Sequence, residues 1–166
     1  MPLKSRQGGG MIPFMPTVTP FRVRYSETDA QKRAHHSHYP VWFEMGRAEY
    51  CRAMGFDYRA MEESGVFLVV AKLECRYTGS LRYDDLAAIE TRLVRVGRRI
   101  LEFSYRVTET SSGAVAALGS TILVPVDEEG RVVSLPDAVL SLLTPCAEEA
   151  PAPVPSLADS PLPSGG

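Results

Sequence analysis

Residues 25–38, "YSETDAQKRAHHSH", hold Tyr25, Glu27, Asp29, Lys32, Arg33 and all three histidines of the chain, His35, His36 and His38. Carboxylate, phenol and imidazole are the groups that exchange protons or attack carbonyl carbons in enzymes. The same residues also suit a solvated loop, and composition alone leaves both readings open. A metal is not expected. Only His35 and His38 have i,i+3 spacing, and no Cys or Glu elsewhere completes a ligand set by spacing. A solvated helix start is the expected reading of these histidines. Cys51 falls inside a helical pattern, where a small buried thiol is the ordinary role.

The cluster sits at a junction between two apolar-patterned segments. Before it, Phe21 to Tyr25 alternates apolar and basic residues and predicts a short strand. After it, "HYPVWFEMGRAEYCRAMGF" repeats Tyr39, Phe43, Gly46 and Tyr50 at helical spacing, which defines one buried face. Ser37 is placed to cap this helix, Pro40 is tolerable in its first turn, and Gly55 stands where it should stop. Glu44 and Arg47, three apart, suit a surface pair or a structural contact.

Strands follow. "VFLVVAKLECRY" is apolar and β-branched, and "LAAIETRLVRV" begins after the turn signal Tyr83-Asp84-Asp85. In "LEFSYRVT", Leu101, Phe103, Tyr105 and Val107 alternate with polar residues. "SSG" at 111–113 suits a hairpin turn before "AVAALGSTILVPV", and a short helix over about 136–143 closes the pattern. One long helix segregated from a run of strands is the α+β pattern, with a largely antiparallel sheet. The helix covers only one face of such a sheet, so a dimer or tetramer is expected.

The ordered domain is expected over 20–143. Residues 1–19 are rich in Gly and Pro and are expected to be flexible. The tail 144–166 carries six of the thirteen prolines and few bulky apolar residues, a composition expected to be disordered. With 45% hydrophobic residues, 23% charged residues and a net charge of −2, the 166-residue chain suits one globular domain and gives no general case for nucleic acid. No apolar run reaches membrane-spanning length, and the start lacks a signal-peptide core. An odd count of three cysteines, without a CxxC pair, fits a reducing compartment, so a cytoplasmic location is expected.

"VRYSETDA", "HHSHYPVWFEMGRAEY" and "YTGSLRYDDLAAIETRL", in this order, resemble the hotdog-fold acyl-CoA thioesterases of the 4-hydroxybenzoyl-CoA type over roughly residues 21–136. The resemblance implies a curved antiparallel sheet wrapped around one long central helix. It also implies dimers or tetramers with sites shared between subunits. The implied reaction is hydrolysis of an acyl-CoA thioester to free acid and CoA, with no metal and no cofactor beyond the CoA of the substrate.

Asp29 matches the family's catalytic carboxylate, as general base toward water or as nucleophile; a turn or cap residue is the plain alternative. His36 matches a helix-entrance position that contributes its backbone N–H toward the thioester oxygen, and in one branch its side chain as well. Tyr25 matches an active-site tyrosine of one branch. Arg98 and Arg99 match a basic site for the CoA nucleotide phosphates, with Arg82 as a further candidate. Two departures stand out: "AQKRA" follows Asp29 where relatives carry small or apolar residues including a glycine, and Ser80 replaces a usual proline. The first keeps a non-catalytic acyl-CoA-binding protein as the alternative; the second is minor. An acyl carrier protein in place of CoA also stays open. A hotdog dehydratase would need an Asp/His or Glu/His arrangement elsewhere, and no second motif of that kind is present.

Overall fold

The computed structural model describes residues 15–143. The expectations for 1–14 and 144–166 lie outside the described residues. Five strands, β1 (Thr17–Arg22), β2 (Phe67–Tyr77), β3 (Leu86–Gly97), β4 (Ile100–Glu109) and β5 (Val115–Val126), form one sheet in the order β1-β3-β4-β5-β2. Every neighbouring pair is antiparallel. Helix α1 (His38–Ala53) lies on one face, with two short helices, α2 (Tyr58–Glu63) and α3 (Asp137–Leu143), after it.

Alternation selects the inner face. Ile89, Thr91 and Leu93 on β3, Leu101, Phe103, Tyr105 and Val107 on β4, and Thr121 and Leu123 on β5 are buried. Against them α1 presents Tyr39, Phe43, Gly46 and Tyr50, the face its spacing predicts. Phe43 stacks on Tyr105 with centroids 4.6 Å apart, and Tyr50 meets Phe103 edge-on at 5.7 Å. Helix and sheet approach this closely because two contact positions lack a Cβ. One added at Gly119 would stand 2.3 Å from the Phe43 ring, and one at Gly46 would stand 2.5 Å from Thr91 Oγ1. Register shifts between Val70 and Lys72, Leu93 and Arg95, and Val107 and Thr108 bend the ladders and curve the sheet around the helix.

Several local expectations change. β1 starts at Thr17, before residue 20, and ends at Arg22. The expected continuation to Tyr25 is not strand: the ladder stops at Arg22, and Tyr25 opens a 3₁₀ turn, Tyr25–Glu27. The cause is the Glu27 carboxylate, which takes the Arg24 N–H at 2.8 Å and folds the chain back on itself. Ser37 occupies the N-cap position of α1 without a capping bond; its hydroxyl meets His35 Nδ1 at 2.8 Å instead. Gly55 does end the helix in the left-handed region, at φ 76°. Arg47 is no surface partner of Glu44: it turns inward, 8% exposed, and donates to the Tyr105 hydroxyl at 3.3 Å.

β2 is an edge strand paired only to β5, and Val69, Val70 and Leu73 on it are exposed. No helix among the described residues is long and apolar enough to cross a membrane.

Candidate active site

The antiparallel registers bring the ends of β1, β2 and β4 and the starts of β3 and β5 to one edge of the sheet. The junction from Tyr25 to Ser37 folds there. Leu81 O accepts the Ala34 N–H at 2.8 Å, and the Arg33 guanidinium donates to Ser80 Oγ at 3.2 Å. Glu27 O accepts the His35 N–H at 2.8 Å.

Asp29 sits at the head of a tight turn. Its Oδ1 accepts the Gln31 N–H at 2.8 Å and, weakly, the Arg33 N–H at 3.4 Å. Its backbone O accepts the Lys32 N–H at 2.9 Å. Oδ2 accepts no hydrogen bond among the described residues, so one carboxylate oxygen is committed to the turn and the other is available. Lys32 takes φ 59°, a left-handed backbone that favours glycine. The turn in "AQKRA" therefore keeps a glycine-like shape with lysine in the position.

His36 lies at the entrance to α1. His35 O accepts the N–H of His38, the first residue of α1, at 3.0 Å. In a trans peptide the C=O and N–H point in opposite directions, so the His36 N–H is directed away from the helix. It has no acceptor among the described residues. Such a donor, with the helix dipole behind it, suits a developing oxyanion. The Tyr77 hydroxyl, at the end of β2, donates to His36 O at 2.9 Å. Burial, with a smaller effect of the Cys75 thiol, pushes the Tyr77 phenol up to about 12, which keeps it a donor at neutral pH.

Tyr25 is 77% exposed and meets Tyr83 edge-on at 5.6 Å, at the rim of this end. Arg82 is exposed on the same loop, next to the Ala34–Leu81 hydrogen bond. Arg98 and Arg99 are not brought here. They occupy the β3–β4 turn, and the 12 residues of β3 at about 3.3 Å each put them roughly 35 Å from the Leu86 end. Arg98 reaches Asp137 at 3.4 Å. The rings of His35 and His36 meet tilted, with centroids 4.1 Å apart, and no group of three or more metal-ligating side chains forms among the described residues.

Sequence reasoning passed over Glu27. This carboxylate is only 2% exposed and accepts from Arg24 N and Nη2, each at 2.8 Å, and from Trp42 Nε1 at 3.2 Å. Burial raises its pKa, but the hydrogen bonds and charge of Arg24 and the Trp42 bond outweigh that and hold it below the usual carboxylate range. Glu27 fixes the turn to α1. The arginine three residues before it and the tryptophan fifteen after were the available signals. Cys51 is fully buried and its thiol is pushed up to about 11 by burial, which leaves it a core residue and no nucleophile.

A curved five-stranded antiparallel sheet on one long helix, with a carboxylate and a helix-entrance N–H at one edge, defines a hotdog fold of the thioesterase kind. The chain belongs to the thioesterase-like superfamily, whose model matches residues 23–143. It is similar to a crystal structure of a hypothetical protein from Aquifex aeolicus, at 35% identity and TM-score 0.72, covering 78% of this chain and all of that one. It is also similar to a DHNA-CoA thioesterase structure from Staphylococcus aureus, at 28% identity and TM-score 0.68, covering 72% of this chain and 79% of that one. Acyl-CoA thioesterase YbgC of Haemophilus influenzae is 34% identical over 89 residues, 53% of this chain and 65% of that protein.

Proposed function

We propose that this protein hydrolyses an acyl-CoA thioester to free acid and CoA. The observation that carries the reading is the placement of the available Asp29 oxygen and the outward His36 N–H at one edge of the sheet. A thioester is already activated, so the protein has to supply an oxygen nucleophile and a site for the carbonyl oxygen as it gains charge. As general base, Asp29 takes a proton from water, and the hydroxide adds to the thioester carbon. As nucleophile, Asp29 adds to that carbon itself, CoA leaves as thiolate, and water then hydrolyses the mixed anhydride. Either way the C–S bond breaks, the thiolate takes a proton, and the His36 N–H stabilises the oxyanion. Tyr25 at the rim orients substrate or water.

The working form is a homodimer or homotetramer in the cytoplasm, with no cofactor beyond the substrate's CoA. The exposed β2 edge supports the oligomer. A second copy adding its own β2 antiparallel across a two-fold axis sets the Phe67 end of one strand beside the Tyr77 end of the other. Each copy's Arg98–Arg99 turn lies at its Phe67 end, so it comes to the same edge as the partner's Asp29 junction. On this reading Arg98 and Arg99 serve the CoA phosphates of the neighbouring site, while Arg82 serves those of its own. The Asp29 oxygen bound into the turn favours the alternative, an acyl-CoA-binding protein without turnover. Incubation with short, long and aromatic acyl-CoAs separates the two. Free thiol release from at least one member is expected, whereas acyl-CoA binding without any release would establish the alternative.

A further inference from the structure

We infer that Tyr77 is a positioning residue for the reaction, acting through the backbone of His36; this rests on the thioesterase reading above. Two peptide planes flank the His36 Cα. The first carries the outward N–H and is anchored to α1 by the bond from His38 N to His35 O at 3.0 Å. The second carries the His36 carbonyl, and its one strong restraint among the described residues is the Tyr77 hydroxyl at 2.9 Å. Among the described residues the plane also has the longer bond from Ser37 N to His35 Nδ1, at 3.3 Å. His36 is exposed, so packing does not hold this plane in place of the hydrogen bond.

The Tyr77 ring is independently located. It packs edge-on to the buried Tyr39 at 5.1 Å and to the His36 ring at 6.5 Å. Its backbone pairs with Ala117 at the end of the β2–β5 ladder. The phenol thus ties a strand end, fixed by the sheet, to the one segment of the site that lies between a turn and a helix. An oxyanion donor works only when its direction is set before the charge develops. Loss of the hydroxyl frees the second plane; its rotation shifts Ser37 and His38, loosens the His38 N–His35 O bond that aims the first plane, and so spreads the direction of the N–H.

Tyr77→Phe removes the hydroxyl and keeps the ring. With a thioester substrate of the wild-type protein, kcat is expected to fall about five- to tenfold, the factor for one ordinary hydrogen bond, with KM within about twofold because binding and transition-state terms separate. The amide signals of His36 and Ser37 in ¹⁵N–¹H spectra should shift and broaden in the variant, while those of Thr91 and Phe103 in the sheet interior stay in place. Unchanged kcat overturns the inference, as does a fall in kcat with unmoved His36 and Ser37 amides. The amide spectra need no turnover. If the wild-type protein hydrolyses no thioester the proposed activity fails, yet moved amides would still establish the restraint and unmoved ones would still refute it.

Discussion

Replacing Glu27 with alanine tests whether the junction is held by a buried carboxylate. The carboxylate is 2% exposed and accepts the Trp42 indole N–H at 3.2 Å, inside the core beside α1. In the variant that N–H has no partner, and an unsatisfied buried donor costs about 1–3 kcal/mol. Loss of the Arg24 N–H acceptor and of the buried methylenes adds about 1 kcal/mol. The Arg24 guanidinium is largely exposed, so its ion pair is screened and adds little. The sum is about 3 kcal/mol, or a fall of roughly 10 °C in Tm for a domain of this size. Trp42 is the chain's one tryptophan, so its fluorescence follows unfolding without labelling.

The same side chain predicts a pH dependence. Because the folded-state pKa of Glu27 lies below 4.5, its stabilisation is complete above that value and is lost as pH falls through the folded pKa. The stability gap between wild type and Glu27→Gln should therefore be constant near neutrality and shrink below about pH 4.5. A Glu27→Ala variant within 1 kcal/mol of wild type, or a gap that widens in acid, would refute the reasoning.

Two further substitutions test the packing and the turn. Gly119→Ala should destabilise by about 3 kcal/mol in denaturant titration, because the new methyl meets the Phe43 ring, which is stacked on Tyr105 and cannot yield. Lys32→Gly should be more stable than Lys32→Val by about 1–2 kcal/mol, since φ 59° is strained for a β-branched side chain; equal melting temperatures would contradict that.

The α+β class and the helix face were legible because they rest on periodicity. Tyr39, Phe43, Gly46 and Tyr50 repeat at helical spacing, and the alternation from Leu101 to Val107 can only be a one-sided strand. The candidate site was legible as a cluster because Tyr25, Asp29, Arg82 and His36 fall in two short segments that pack together. What escaped depends on contacts distant in sequence. Phe21–Tyr25 reads as strand to its end, but the Glu27 side chain folding back on Arg24 draws Tyr25 into a 3₁₀ turn. The inward turn of Arg47 depends on Tyr105, 58 residues away. Helix α2, too short to show a period, is marked only by Asp57, which accepts the Arg59 N–H. Tyr77 reads as the end of an apolar strand, and only the fold shows its hydroxyl on His36.

The most direct test of the proposed activity is the steady-state rate of free-thiol release by Asp29→Asn on the best acyl-CoA substrate of the wild-type protein. Asparagine still offers Oδ1 to the Gln31 N–H, so the turn and the Tm should persist. The account predicts a fall in kcat of at least about 10²-fold with acyl-CoA binding retained. A variant that keeps its fold and a third or more of the wild-type kcat would remove Asp29 from the chemistry.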